Sequence, residues 1–213
     1  MTPKPSFGRG LLAALILAVA IDARAAPDDD YKAGARSYGE GDVMTAMPLL
    51  KKAADAGHAP AQALYGLILD RADSDEEAVV YMKKAADQGN ADGQFGYGSM
   101  LSAGEGIKRD PVEGRAWVVK AAEQGHKLAI NELALAYAKG SPGLTDEMRR
   151  GETARRWIRA AAENDFIPAV DALAEAYRTG GLGLETDPRL AEQWSARSRK
   201  LRGITGKRRG EKK

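Results

Sequence analysis

One recurring phrase constrains this chain more than anything else in it. Lys52-Ala53-Ala54-Asp55-Ala56-Gly57-His58 returns as Lys84-Ala85-Ala86-Asp87-Gln88-Gly89-Asn90 and as Lys120-Ala121-Ala122-Glu123-Gln124-Gly125-His126. A worn copy follows at Ala160-Ala161-Ala162-Glu163-Asn164-Asp165-Phe166. Equivalent positions 57, 89, 125 and 165 lie 32, 36 and 40 residues apart. Repeats of that length are single supersecondary units that cannot bury a face alone and must stack on their neighbours.

Further landmarks keep the same register. Eight residues before each turn position stands a bulky residue, Leu49, Tyr81, Trp117 or Trp157, and Trp194 continues the series. Three residues before each of these is a small one: Ala46, Ala78, Gly114, Ala154 and Ala191. Between the phrases runs a second motif: Tyr65-Gly66-x-x-Leu69, Tyr97-Gly98-x-x-Leu101, Leu133-Ala134-x-x-Tyr137 and Leu173-Ala174-x-x-Tyr177. Residues three and four apart share a helical face, and the small one lets a second backbone approach. Each repeat therefore reads as two antiparallel helices. Helix A carries large-small-x-x-large, and helix B carries the bulky landmark and the Lys-Ala-Ala phrase. The predicted pairs span 28–56, 59–88, 91–124, 127–164 and 167–201.

The punctuation agrees. Asp110-Pro111-Val112-Glu113 and Asp187-Pro188 read as an N-cap followed by proline in the first turn. Ser74-Asp75-Glu76-Glu77 has capping-box spacing. Gly57, Gly89 and Gly125 fall where a helix end needs a left-handed residue. Gly104, Gly106 and Gly180 to Gly183 fall in the A-to-B turns.

These residues resemble the Sel1-like repeat, a relative of the tetratricopeptide repeat. The fullest copy runs from Gln94 through Gly98, Leu101, Gly104, Gly106, Asp110 and Trp117 to Gly125. The first repeat, with Gly34, Gly41, Asp42 and Ala46, has more tetratricopeptide-like spacing. The resemblance covers about residues 30–200 and implies an all-α fold: an α-solenoid, a right-handed superhelix of about five stacked antiparallel helix pairs. Repeat two departs from it by lacking the glycine turn, repeat four by Pro142 and an insertion. The absence of Cys separates the chain from the disulfide-stapled secreted branch, some of whose members have been linked to penicillin binding.

Residues 1–25 read as a secretory signal. Lys4 and Arg9 precede an unbroken apolar run from Leu11 to Ile21, and Ala23-Arg24-Ala25 offers small residues to signal peptidase. Eleven apolar residues are about half of the ~20 a spanning helix needs. Cleavage after Ala25 predicts a periplasmic or secreted mature chain. The domain reading is then signal 1–25, helical repeats 26–201 and a basic, disordered tail 202–213. Of the full chain's 32 Lys plus Arg and 30 Asp plus Glu, 29 of each remain after the cut. The neutrality hides a split: residues 26–196 carry a net −8 and residues 197–213 a net +8. Such a tail is either a solvated end or a contact for anionic lipid, an acidic partner or a second copy. No aromatic residues interleave its charges, so nucleic acid is not predicted.

Little in the chain supports chemistry, and it is read as non-enzymatic. With no Cys and two His, thiolate chemistry is excluded and a histidine metal cage is hard to build. His58 and His126 are equivalent positions two repeats apart, ~20 Å at one helix diameter per layer, too far to share a metal ion. The carboxylate pairs sit in first helical turns, where acids complement the dipole, and no Ser–His–acid set recurs. The Gly-x-Gly turns follow helices and not strands, so no nucleotide site is indicated. No cofactor or metal is predicted.

What remains is binding of another protein or peptide in the groove lined by A helices. Counting from the small residue of each A helix places Ala63, Leu67, Phe95, Ser99, Asn131, Leu135, Asp171, Glu175 and Arg178 on that face, with Asp70, Ser102 and Ala138 further along it. Phe95 is the anchor, although a one-residue shift of register would bury it against its own repeat. The functional expectation is an exported scaffold or adaptor of the bacterial envelope. The rival readings are a periplasmic immunity or inhibitor protein and, with less support, an envelope hydrolase.

Overall fold

The computed structural model describes residues 26–204, so residues 1–25, expected to be a signal, and residues 205–213 of the expected tail lie outside the described residues. Every regular element among the described residues is a helix. α1 covers 26–39. It is followed by α2 (Val43–Asp55), α3 (Ala59–Arg71), α4 (Asp75–Asp87), α5 (Ala91–Ala103), α6 (Pro111–Glu123) and α7 (Lys127–Lys139). Then come a short α8 (Asp146–Arg150), α9 (Glu152–Glu163), α10 (Ile167–Thr179), a 3-10 turn (Gly181–Gly183) and α11 (Pro188–Leu201). The pairs α1/α2, α3/α4, α5/α6, α7/α9 and α10/α11 are the five helix pairs of a solenoid-type all-α fold. Each boundary falls within three residues of the expected one. α8 is the insertion of repeat four.

Contacts divide the chain into two compact units, Met1–Gly96 and Tyr97–Lys213. In the first, α3 packs on both α2 and α4. In the second, α7 packs on α6 and α9, and α10 on α9 and α11.

Both units are built by one rule. The B-helix small residues Ala46, Ala78 and Ala154 are fully buried, and Ala191 is 7% exposed. The alanine pairs of the recurring phrase are buried in all four copies. Small residues bring backbones together. A Cβ on Gly66 would stand 3.0 Å from the Met82 side chain, and one on Gly98 2.7 Å from the Gly114 carbonyl oxygen.

The bulky landmark needs correction. Tyr81 and Trp157 are buried, but Trp117 is only half-buried, as are Leu49 and Trp194. The deepest B-helix position is the next one along, where Leu50, Val118 and Ile158 are fully buried. Trp117 instead lies edge-on to Tyr97, ring centroids 5.6 Å apart, with the Lys120 ammonium 3.5 Å above its ring. An amphipathic ring at the edge of a layer gains cation–π and aromatic contacts there without filling the core.

The turns work by backbone geometry. Gly57, Gly89 and Gly125 sit at φ of +88°, +82° and +84°. Where the repeat lacks glycine, aspartates take the left-handed role: Asp165 at +62° and Asp73 at +56°. The residue after the B-helix turn caps the next A helix. Nδ1 of His58 accepts from the Ala61 amide and Nδ1 of His126 from the Ala129 amide, each at 3.2 Å. Oδ1 of Asn90 does the same for Gly93 at 2.8 Å. Asp110 and Asp187 cap as expected, each accepting two amide bonds. Ser74 does not: it stands at the N-cap of α4, but its side chain caps nothing.

Candidate functional site

The nine residues predicted for the A-helix face have different surroundings. In the first unit, Ala63 is 3% exposed and packed in the core, so it offers no binding surface. Leu67 on α3 and Phe95 on α5 are half-buried.

In the second unit, Ser99, Asn131 and Leu135 are half-buried. The Ser99 hydroxyl donates to the Glu132 carboxylate at 3.2 Å. The side-chain oxygen of Asn131 is buried without a hydrogen-bond partner. Asp171 is occupied: it pairs with Arg202 at 2.5 Å and accepts from the Ser198 hydroxyl at 2.6 Å. The Arg202 guanidinium holds its carboxyl below the usual carboxylate range. Arg202 was counted in the disordered tail; the ion pair ties it to α10 instead. Glu175 and Arg178 are exposed and satisfy each other at 2.6 Å.

Two clefts open among these residues. One, of 290 Å³, lies between α5, α6 and α7, with Glu132, Leu135, Ala136, Ser102, Arg115 and Lys139 in its lining. The second, of 250 Å³, is lined by Ala138, Arg149, Ala172, Glu175, Ala176 and Thr179 among others. α8 shapes the second. Its Arg149 donates to the Tyr137 carbonyl at 3.1 Å and to the Ala138 carbonyl at 2.9 Å, closing the free C-terminus of α7.

Glu132 is the residue that counting from the repeat missed. The same register position holds Lys32, Leu64, Gly96 and Ala172 in the other repeats. A lone acid in that series was the available signal. Burial pushes its carboxyl above the usual carboxylate range, and the Ser99 hydrogen bond offsets part of the effect.

With the helix pairs and their capping turns in place, the chain can be set beside known proteins. The Sel1 repeat matches residues 31–58, 61–90, 91–126, 127–166 and 168–201. The chain belongs to the Sel1 repeat family. The matched segments coincide with the five helix pairs, so the repeat unit of the family is the A/B pair described above. Among solved structures, a Sel1 repeat protein from Oxalobacter formigenes is similar at 25% identity and a TM-score of 0.63, over 87% of this chain and 73% of that one. A protective antigen of uropathogenic Escherichia coli strains, which displays an SLR fold, is similar at 24% identity and a TM-score of 0.68. That likeness covers 82% of this chain but 38% of the antigen. No curated protein matches. Sel1 repeat proteins generally serve as scaffolds for protein–protein contacts, and the fold is typically non-enzymatic. A protein partner is the coarse functional reading that follows for this Sel1 repeat chain.

Proposed function

We propose that this Sel1 repeat protein is an exported, non-enzymatic adaptor of the bacterial envelope that holds a partner protein against its A helices. The observation that carries the proposal is the state of Ser99, Asn131 and Leu135 on the A helices of the second unit. They face neither a closed core nor full solvent, while the helix pairs beneath them are already packed by Leu133 and Leu173. Half-buried apolar and polar side chains, with Leu135 in the wall of a cleft, are what a recognition surface requires. Export rests on the leader-like residues 1–25, and cleavage there would begin the mature chain at Ala26.

The test places a photo-crosslinking amino acid at Leu135 and, separately, at Met44. Met44 is a solvent-exposed control, 86% exposed on α2. Irradiation of intact cells should give a discrete protein adduct from position 135 and none from position 44, on a chain whose N-terminal residue is Ala26. Adducts from both positions, or from neither, would contradict the binding face. Recovery of a chain that still begins at Met1 would contradict export.

A further inference from the structure

We propose that the cleft between α5, α6 and α7 receives a single basic side chain, lysine or arginine, carried by an extended segment of the partner, with the Glu132 carboxylate as its counter-charge. The inference rests on the reading of the A-helix face as the binding face and specifies the chemistry of what binds there.

The first argument is electrostatic. An ionised carboxylate can accept about four hydrogen bonds. Among the described residues Glu132 receives one, from the neutral Ser99 hydroxyl at 3.2 Å. Arg115 and Lys139 line the same cleft, yet neither forms an ion pair with it. The Arg115 guanidinium donates to the Pro142 carbonyl at 2.8 Å and keeps its charge, with no ion pair to Glu132. Several exposed acids are paired within their own helix: Asp55 with Lys51, Asp87 with Lys83 and Glu175 with Arg178. Glu132 is thus half-buried without an ion-pair partner, as is Asp70 of the first unit. Partial burial of an unpaired carboxylate is unfavourable until a cation reaches it.

The second argument is shape. At 290 Å³ the cleft lies near the lower end of the ~300–1,000 Å³ typical of small-ligand sites, which suits one side chain better than a cofactor. Pro111, Leu135 and Ala136 supply apolar wall for the methylene stem of a lysine or arginine. Arg115 and Lys139 oppose any cation in the cleft, so only one in direct contact with Glu132 is favoured and further ones alongside are not. The ligand segment should therefore carry one basic residue among neutral or acidic ones. This also disfavours the chain's own Lys207-Arg208-Arg209 run as the occupant.

The test is selection of random dodecapeptides displayed on phage against the purified chain, run in parallel on Glu132→Gln and on Glu76→Gln, an exposed acid on α4. Circular dichroism checks that each variant retains its helix content. Peptides enriched on the wild type should share one Lys or Arg at a fixed register, and the Glu76→Gln selection should return the same consensus. The leading peptide should bind Glu132→Gln at least tenfold more weakly. Replacing its basic residue by norleucine should cost as much against the wild type, a readout that needs no protein variant. A consensus without a basic residue, or one recovered equally on Glu132→Gln, would overturn the proposal. If such peptides still lose affinity to Leu135→Ser, the A-helix face stands and only the role of Glu132 falls. Failure to enrich any peptide would contradict both.

Discussion

His58, Asn90 and His126 show how one position can look functional and be structural. Each accepts an amide hydrogen bond at the start of an A helix, the two histidines through Nδ1, so their ring proton sits on Nε2. Because asparagine performs the same task in repeat three, His126→Asn should leave stability within ~0.5 kcal/mol, the range of ordinary surface changes. His126→Ala removes the acceptor and should cost about 1 kcal/mol, as N-cap truncations do. Urea denaturation measures both, and equal losses would argue against capping. The aromatic landmarks separate in the same way. Trp157, 4% exposed, should cost roughly 3–5 kcal/mol when replaced by alanine. Trp117, half-buried against Tyr97, should cost less, about 1–2 kcal/mol for partial burial and one aromatic pair.

At the scale of the helix pair, close approach decides stability. Gly98→Ala would press a methyl to 2.7 Å from the Gly114 carbonyl oxygen and 2.9 Å from the Val118 side chain. One of these neighbours is backbone and cannot rotate away, so the substitution should cost about 1–3 kcal/mol despite its better helix propensity. A neutral or stabilising result by thermal melting would mean that α5 and α6 stand further apart. This packing was legible in the sequence because it is periodic: Gly98, Gly114 and the alanine pairs repeat, and repetition separates signal from chance. The binding face was less legible. Ala63 was assigned to it by counting along the helix, but small residues lie close enough to a neighbouring helix to be covered by it. Glu132 was passed over because a single departure from the pattern reads as noise until a cleft is seen around it. Trp117 was misplaced because size alone does not tell a core ring from one lying at a layer edge beneath a lysine.

At the scale of the whole molecule, repeats contribute to stability through their own packing and their nearest neighbours. Electrostatics then modulates that sum with pH. The folded state holds the Glu132 proton more tightly than the unfolded chain does. Stability should therefore fall as pH rises from the ordinary glutamate value of about 4.3 through the raised folded value. Glu132→Gln should remove this slope, gaining on the wild type as pH increases toward 7. Asp171 has the opposite sign: Arg202 lowers its pKa, so its contribution is present above the unfolded value and is lost as pH falls through the folded one. Asp171→Asn should accordingly weaken the protein at pH 7 and matter progressively less as pH falls. The central claim is that core and recognition face occupy different sides of the same A helices, and two leucines of α7 test it most directly. Leu133 is 1% exposed, whereas Leu135 is half-buried beside the cleft. In urea denaturation Leu133→Ala should cost roughly 2–5 kcal/mol. Leu135→Ser should stay within about 1 kcal/mol while weakening the selected peptides at least tenfold. A Leu135→Ser chain as destabilised as Leu133→Ala, or one that binds those peptides as the wild type does, would contradict the account.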